Sequence, residues 1–550
     1  MNREKDKSPK RQVIGRAEIE RAEETLSKYK AAKQSLEARL CEEEKWWRLR
    51  HWEVFGNGNQ PERCEPVSAW LFNSIANKHA DAMDNYPEPN VLPREKNDEN
   101  EAELLSKIIP VIIENNGFEG TYSDAWWYKL KHGTAVYGVF WNEGKADGKG
   151  DIDITRIDLL NLFWEPGISD IQKSENLFIV SLENTERLKM RYPDKNIRAG
   201  KGILDIKKYA YDNAVDYTDK TAVVDWYYKK TDESGKTVLH FCKFAGGEVL
   251  FATENEAEYK NTGLYDHGKY PVVFDRMFPL EGTPCGFGMI SVMKSPQMYI
   301  DRLNQVILEN SVMSARVRYF AKEGSGIDEN EFLDWSKPIV HVEGSIDEER
   351  LRRIDISPVS GNVLNVLAMK IDELKETSGN RDFSQGSTSA GVTAAAAIAA
   401  LQEAGNKTSR DMIEMSYRAY TRIGYLIIDL LKQFYDKKRC FRITGDDGKF
   451  VYVNYNGATG TETRETNFDI VIKPQKKSSY SKMSQNELAK EMYKLGFFNP
   501  QQAKQSLAAI EIMDFDGKAQ VKEVIKKIAS EYEAEISNAM TEMKAEENEQ

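Results

Sequence analysis

The side chains best equipped for chemistry are spread through this chain without meeting at catalytic spacing. The six histidines, His51, His79, His132, His240, His267 and His341, form no HExxH pair, and neither a CxxC nor a GxSxG elbow occurs. GKADGKG at 144–150 lacks the spacing and terminal Ser/Thr of a phosphate-cradling P-loop, and GNKTS at 405–409 lacks its leading glycine. GFGMIS at 286–291 has two glycines of a dinucleotide fingerprint but not the third, so it reads as a turn. DFDGK at 514–518 lacks the remaining ligands of a calcium loop. The sequence therefore predicts no catalytic residue, no cofactor and no metal. The most informative pattern is a junction: the small polar loop GNRDFSQGSTSAG at 379–391 runs into the alanine-rich VTAAAAIAALQEAG, and helical spacing continues through Ile423, Leu426, Leu430 and Phe434. Such a loop suits a surface that slides past something, and such a rod suits a wall shared with neighbouring subunits.

The elements that must hold this junction follow from the wider pattern. With 550 residues and 40% hydrophobic content the chain has enough apolar surface for several domains. A net charge of -12 argues against a protein that grips nucleic acid with its whole surface. Cys41, Cys64, Cys242, Cys285 and Cys440 are far apart and odd in number, which fits a reducing compartment better than a disulfide framework. The charged start MNREKDKSPKRQ is no secretory leader, and no stretch approaches the ~18 apolar residues of a membrane span.

The fold class reads as α+β. Ile14 to Trp52 is a charged helical segment ending in aromatics that dock it, and Val67 to Tyr86 is a second helix. An extended stretch with Pro87, Pro89 and Pro93 follows, then a helix from Asn97 to Asn115 that Pro110 should kink. TAVYGVFWN and DIDITRID read as a hairpin about a Gly/Asp turn, and VVDWYYKK and VLHFCKF as further strands. Ser295 and Pro296 spell a helix start, with Tyr299, Leu303, Ile307, Met313, Val317 and Phe320 on its stripe to an end near Gly324. A second such helix opens after Gly361 with Leu364, Leu367, Ile371 and Leu374. Between them lies a small insert, and both stripes read as packing between helices rather than a ligand site. With no proline between Pro358 and Pro474, the rod could extend on the order of 60 Å. Gly405 and Asn406 interrupt it as a bend or as a close helix contact, the bend being favoured. RCFRITGDDGKFVYVNY and NFDIVIKP return to strands that should rejoin the sheet. Ser484 to Glu487 spells a capping box, Gly496 a C-cap, Asn499 and Pro500 a fresh start, and Asp514 to Gly517 a turn in a helical C-terminal part. The last twenty residues carry seven Glu against one Lys and read as a solvated end.

This order of parts resembles the portal proteins of tailed bacteriophages over about residues 65 to 530. LLNLFWEPGISDIQKSENLFIVSLENTERLKMRYPD resembles the wing, with Glu165 and Pro166 ending a strand and Tyr192 and Pro193 ending a helix. YPVVFDRMFPLEGTPCGFGMISVMKSPQMYIDRLNQ resembles the approach to the stem, with Gly286 and Gly288 before a helix bearing Gln297 and Asn304. The loop and rod look like the channel-facing segment, and LAKEMYKLGFFNPQQAKQSL resembles the crown helices.

The resemblance implies an N-terminal charged helix and arm at 1–64, an α+β wing at 65–294, stem helix 1 at 295–320, a small α+β clip at 321–360 and stem helix 2 at 361–378. A tunnel loop at 379–392, a long wing helix at 393–436, wing strands at 437–479 and a helical crown with an acidic tail at 480–550 complete it. It further implies a non-enzymatic closed ring, usually of twelve copies, at one capsid vertex of the virion, assembled in the host cytoplasm. Double-stranded DNA would pass through without sequence specificity, driven by the terminase large subunit and later released into the tail. Other implied partners are head-completion and tail adaptor proteins and the major capsid and scaffolding proteins, with no membrane. An acidic wall screened over about 8 Å can feel its cargo without holding it.

Within that resemblance Ser384, Gln385, Ser387, Thr388 and Ser389 offer neutral groups for phosphate contact, and Gly386 and Gly391 let the loop deform. Arg381 is either a phosphate contact or an ion-pair partner of Asp382, and Phe383 packs under the loop. In the clip, Glu331, Phe332, Asp334 and Trp335 either dock a partner or, for the two aromatics, pack in the core. Asp347, Glu348 and Glu349 read as a solvated turn. Two rival classes stay open: a packaging or nucleic-acid-processing enzyme with a spatial carboxylate cluster for metal ions, and a channel-less DNA-binding scaffold with a basic groove.

Overall fold

The structure, a computed structural model, describes residues 13–56, 64–197, 219–231, 235–315, 318–321, 326, 328–334, 336, 339, 341–342, 351–354, 356–379, 407–435, 439–444, 450–455, 468–476, 488–513 and 518–549. The chain divides into a large unit, 1–82 with 87–473, and a small one, 83–86 with 474–550.

Runs rich in β-branched and aromatic residues build two antiparallel sheets in the large unit. Strands β2 (Thr134–Asn142) and β3 (Asp151–Ile157) form the expected hairpin, with Val139 opposite Ile154, and β9 (Val272–Arg276) pairs on the other edge of β2. The second sheet has five strands in sequence order: β4 (Leu162–Trp164), β5 (Asn176–Asn184), β6 (Lys220–Thr231), β7 (Thr237–Ala245) and β8 (Glu248–Ala252).

Helix α1 (Arg16–Trp47) is the longest brace on this sheet. Its stripe Ile19, Ala22, Leu26 and Tyr29 repeats at helical spacing and packs on Phe178, Val180, Val224 and Phe244. Further along, buried Lys33 donates to the carbonyls of Leu159 and Leu162, and burial lowers its pKa to about 8. Aromatics end the segment as expected: Trp46 packs edge-on against Phe55, and the indole of Trp52 donates to Pro66 O. Helices α2 (His51–Val54), α3 (Trp70–Asp84), α4 (Glu99–Asn115, with Pro110 inside it) and α5 (Phe118–His132) follow, the extended β1 (Asn85–Pro93) lying between α3 and α4. A short α6 (Thr185–Arg191) follows β5.

Three expectations need correction. Helix α7 spans Met289–Ala315, so Pro296 lies inside it rather than at its start. The earlier turns are held from outside: Ser291 donates to Glu43, and Gly286 N donates to Thr134 Oγ1 at 2.7 Å, which outweighs the local Ser-Pro signal. Nor does α7 reach Gly324, because Arg318–Ala321 (β12) leaves it to pair antiparallel with Leu351–Ile354 (β13). Phe320 fits either period, and the ladder wins, while Val317 lies outside the described residues. Finally, β14 (Arg439–Thr444) and β15 (Phe450–Tyr455) form their own hairpin and β16 (Phe468–Lys476) pairs with β1, so none rejoins the two main sheets. β1 carries Pro87, Pro89 and Pro93, which lack N–H donors and suit a strand with a single partner.

The second long helix of the pair, α9 (Gly361–Ser378), opens with Ser360 Oγ accepting from Asn362 N, after the short α8 (Glu329–Leu333). The described part of the rod, α10, is Lys407–Phe434, about 42 Å at 1.5 Å per residue. In the small unit residues 488–494 are helical (α11), Gly496 takes a left-handed φ of 77°, and Asn499 caps the turn beginning at Pro500. There α12 (Ala503–Ile512) buries Ala503 and Ile510 against Ile525 of α13 (Lys518–Glu549). The capping box at 484–487 and the turn at 514–517 lie outside the described residues.

Candidate functional site: the helix pair and the long helix

The helix pair starts from a tightly fitted base. Gly133 ends α5 at φ 82°, and a Cβ on Gly288 would sit 2.4 Å from Lys131 O, so the glycine turn before α7 is a direct backbone approach. More than two turns on, Gln297 accepts from Leu71 N at 3.1 Å and donates to Ser68 O at 2.7 Å, while Asn304 donates to Ser68 Oγ at 3.0 Å. Asp301 joins them, accepting from Ser68 N at 2.9 Å, and its other oxygen lies 2.5 Å from Nδ1 of fully buried His51. A second buried pair sits nearby, His132 Nδ1 at 3.0 Å from Glu43. Burial works to raise the neighbouring Glu44 carboxyl, but hydrogen bonds from His132 and Lys131 outweigh it and hold the group at about 2. A depressed carboxylate stabilises the fold above its unfolded pKa, and that contribution disappears as pH falls from about 4.5 through about 2. Glu44→Gln should therefore lower the melting temperature at pH 7, by a margin that narrows towards pH 3. A margin independent of pH would refute this account.

Beyond Asp301 no described residue of α7 is buried, and α9 buries only Leu374 and Ser378. The two helices pack along half-buried Leu303, Ile307, Leu367 and Ile371. Their outer faces remain apolar: Tyr299, Val306 and Met313, at seven-residue steps, are 47%, 51% and 51% exposed, and Leu364 and Met369 are 51% and 68% exposed. The stripes foreseen as helix packing are thus only partly used within one chain.

Helix α10 is fixed by two polar clusters on one face. Ser409 Oγ accepts from buried Lys78 at 2.8 Å and donates to Asp81 at 2.9 Å. Seven residues later Ser416 Oγ accepts from Lys129 at 2.7 Å and donates to Asp275 at 2.6 Å, while Lys129 also reaches Asp275 at 2.7 Å and Met412 O at 3.1 Å. Burial depresses both lysines, the neighbouring aspartates opposing it. Sequence reading missed these clusters. The available signal was two serines on an otherwise apolar face with Met412, Ile413, Ala419 and Ile423.

Of the sequence-predicted site residues, Glu331, Phe332 and Asp334 are among the described residues. Arg381, Ser384, Gln385, Ser387, Thr388 and Ser389 lie outside the described residues, as do Asp382, Phe383, Trp335, Asp347, Glu348, Glu349, Gly405 and Asn406. In α8, half-buried Phe332 meets Tyr319 edge-on at 5.2 Å, and Glu331 accepts from His341 N at 2.9 Å. Exposed Asp334 accepts from Ser336 N and Oγ, which lowers its pKa. Phe332 therefore packs, while Asp334 faces solvent.

No group of three His, Cys, Asp or Glu side chains is placed to hold a metal among the described residues, and none of their helices is long and apolar enough to cross a membrane. No curated protein matches the chain. The family model of the phage P22-like portal protein matches residues 72–550. The chain belongs to that family. A P22-like portal protein is a structural component of the phage capsid, and the family implies ring assembly there and contact with other head and tail proteins. The matched span begins inside α3, so α1 and α2 precede it.

Proposed function

We propose that copies of this chain close into a ring, of about twelve subunits by the resemblance stated above, at one capsid vertex, where it is the passage for genome packaging and ejection. The single observation that supports this best is the apolar stripe on the helix pair. Contiguous exposed apolar surface on a soluble chain marks an interface. Here Tyr299, Val306 and Met313 on one helix and Leu364 and Met369 on the other need a neighbour that the lone subunit does not supply. The pair then serves as the stem, 321–360 as the clip that meets the terminase large subunit and head-completion or tail adaptor proteins, 379–392 as the tunnel loop, 480–550 as the crown, and the large unit's sheets as the wing in reach of capsid and scaffolding proteins.

Negative-stain images of the purified protein should show annuli with an open centre that bind free duplex DNA poorly. Isolated single subunits with tight DNA affinity would sink the reading. For the loop, deletion of Asp382 to Ser389 should leave shells assembling but impair DNA filling or retention. Unaltered genome content would refute its role.

A further inference from the structure

A cleft of about 520 Å³ opens where α10 crosses β9 and the loop 169–172. Three guanidinium groups converge on it: Arg276 from the end of β9, and Arg418 and Arg422 one turn apart on α10. All three are exposed, and none has a hydrogen-bond or ion-pair partner among the described residues. Several other polar groups of the cleft have partners within the subunit. Asp170 accepts from Gln172 N at 3.0 Å, Gln172 exchanges hydrogen bonds with the backbone of Tyr270 at 2.9 and 3.1 Å, and Lys269 pairs with Asp429 at 3.1 Å. Phe274, Met415, Tyr425 and Leu426 contribute an apolar floor.

Three guanidinium groups without a partner among the described residues surround one hollow in a chain whose net charge is -12. Like charges four residues apart on a helix repel, whereas Arg16 and Glu20 at the same spacing attract at 3.1 Å. An oxyanion group from outside removes the repulsion, because a guanidinium fork binds carboxylate or phosphate through two parallel hydrogen bonds. The floor decides which anion. A DNA duplex is a convex cylinder that would touch the arginine tips and leave half-buried Met415 and Tyr425 uncovered. A short peptide with carboxylates beside an apolar side chain fills both parts, and the cleft volume lies in the range of ligand pockets.

We propose that this cleft receives an acidic segment of the adjacent copy of the chain, its carboxylates bound by Arg276, Arg418 and Arg422. The proposal rests on the ring reading. In a head-to-tail ring a hollow on one flank must meet a different patch on the next subunit, and acidic surface is what a neighbour of net charge -12 supplies. Ring closure also holds that segment at high effective concentration.

The test compares full-length wild type with Arg418→Glu/Arg422→Glu and with Arg418→Lys/Arg422→Lys, by native mass spectrometry over graded protein and salt concentration. The glutamate pair should raise the subunit concentration for half-assembly about tenfold or more, and the lysine pair by less, with the melting temperature of the subunit unchanged because both side chains are exposed. A photo-crosslinking amino acid at position 422 should join subunit to subunit through a peptide rich in Asp and Glu. Wild-type rings accompanied by glutamate-variant rings at the same concentration and salt overturn the cleft proposal alone, as does a crosslink solely to DNA or to a different protein. Absence of rings in the wild type overturns the ring reading and this proposal together.

Discussion

Asp275→Ala should cost about 3–5 kcal/mol, because it leaves the fully buried Lys129 ammonium without its counter-charge. The lysine is committed: besides Asp275, the described residues offer it Ser416 Oγ, Met412 O, the Trp126 ring at 4.5 Å and the charge of Asp411 to offset burial. Removing the aspartate therefore strands a charge rather than deleting one contact. Ser416→Ala should cost less, about 1–3 kcal/mol, since the ion pair remains. Lys129→Met/Asp275→Leu should recover most of the loss, as apolar replacement of a whole buried pair is often neutral. Urea unfolding followed by tryptophan fluorescence gives the ranking. An Asp275→Ala midpoint within error of wild type would mean that the cluster does not hold α10. Ser409 and Ser416 lie about 10.5 Å apart along the helix at 1.5 Å per residue, so together they fix its axial register.

Val306→Glu/Met313→Glu should give folded subunits that no longer form rings. Both side chains are half exposed, so the lone subunit loses little. In a ring each would bury its remaining apolar surface, worth about 1 kcal/mol, and the introduced carboxylates would be desolvated as well. A loss near 4 kcal/mol per interface is roughly a thousandfold weaker association at about 1.4 kcal/mol per tenfold. Sedimentation velocity should show the subunit at concentrations where wild type is assembled, with unchanged circular dichroism. Assembly at wild-type concentration would remove the helix pair from the interface.

The hairpins β2–β3 and β6–β7 were legible because β-branched and aromatic runs flank Gly/Asp-containing turns, and local pattern decides a local pairing. The helix pair was legible in its stripes but not in its ends. Ser295-Pro296 is a sound start signal that distant contacts from Glu43 and Thr134 override, and the far end of α7 loses to a ladder whose other strand lies more than thirty residues away. Of the polar clusters, the sequence shows only two serines on an apolar face and not their partners. Lys78 and Ser409 are separated by 331 positions, and Lys129 and Ser416 by 287, so only folding puts them in contact. The family resemblance is matched over residues 72–550, while the loop residues it singled out lie outside the described residues.

Helix α1 has a consequence for synthesis. It leaves the ribosome well before the strands that cover Ile19, Ala22 and Leu26, and the carboxylate that meets His51 is encoded 250 residues later. At about 5–20 residues per second that delay is roughly 12–50 s, during which a greasy amphipathic rod hangs on the nascent chain with nothing to rest on. Host chaperones that cradle such segments would thus set the yield of assembly-competent subunits, and slowing translation between codons 52 and 301 should lengthen the vulnerable interval and raise aggregation.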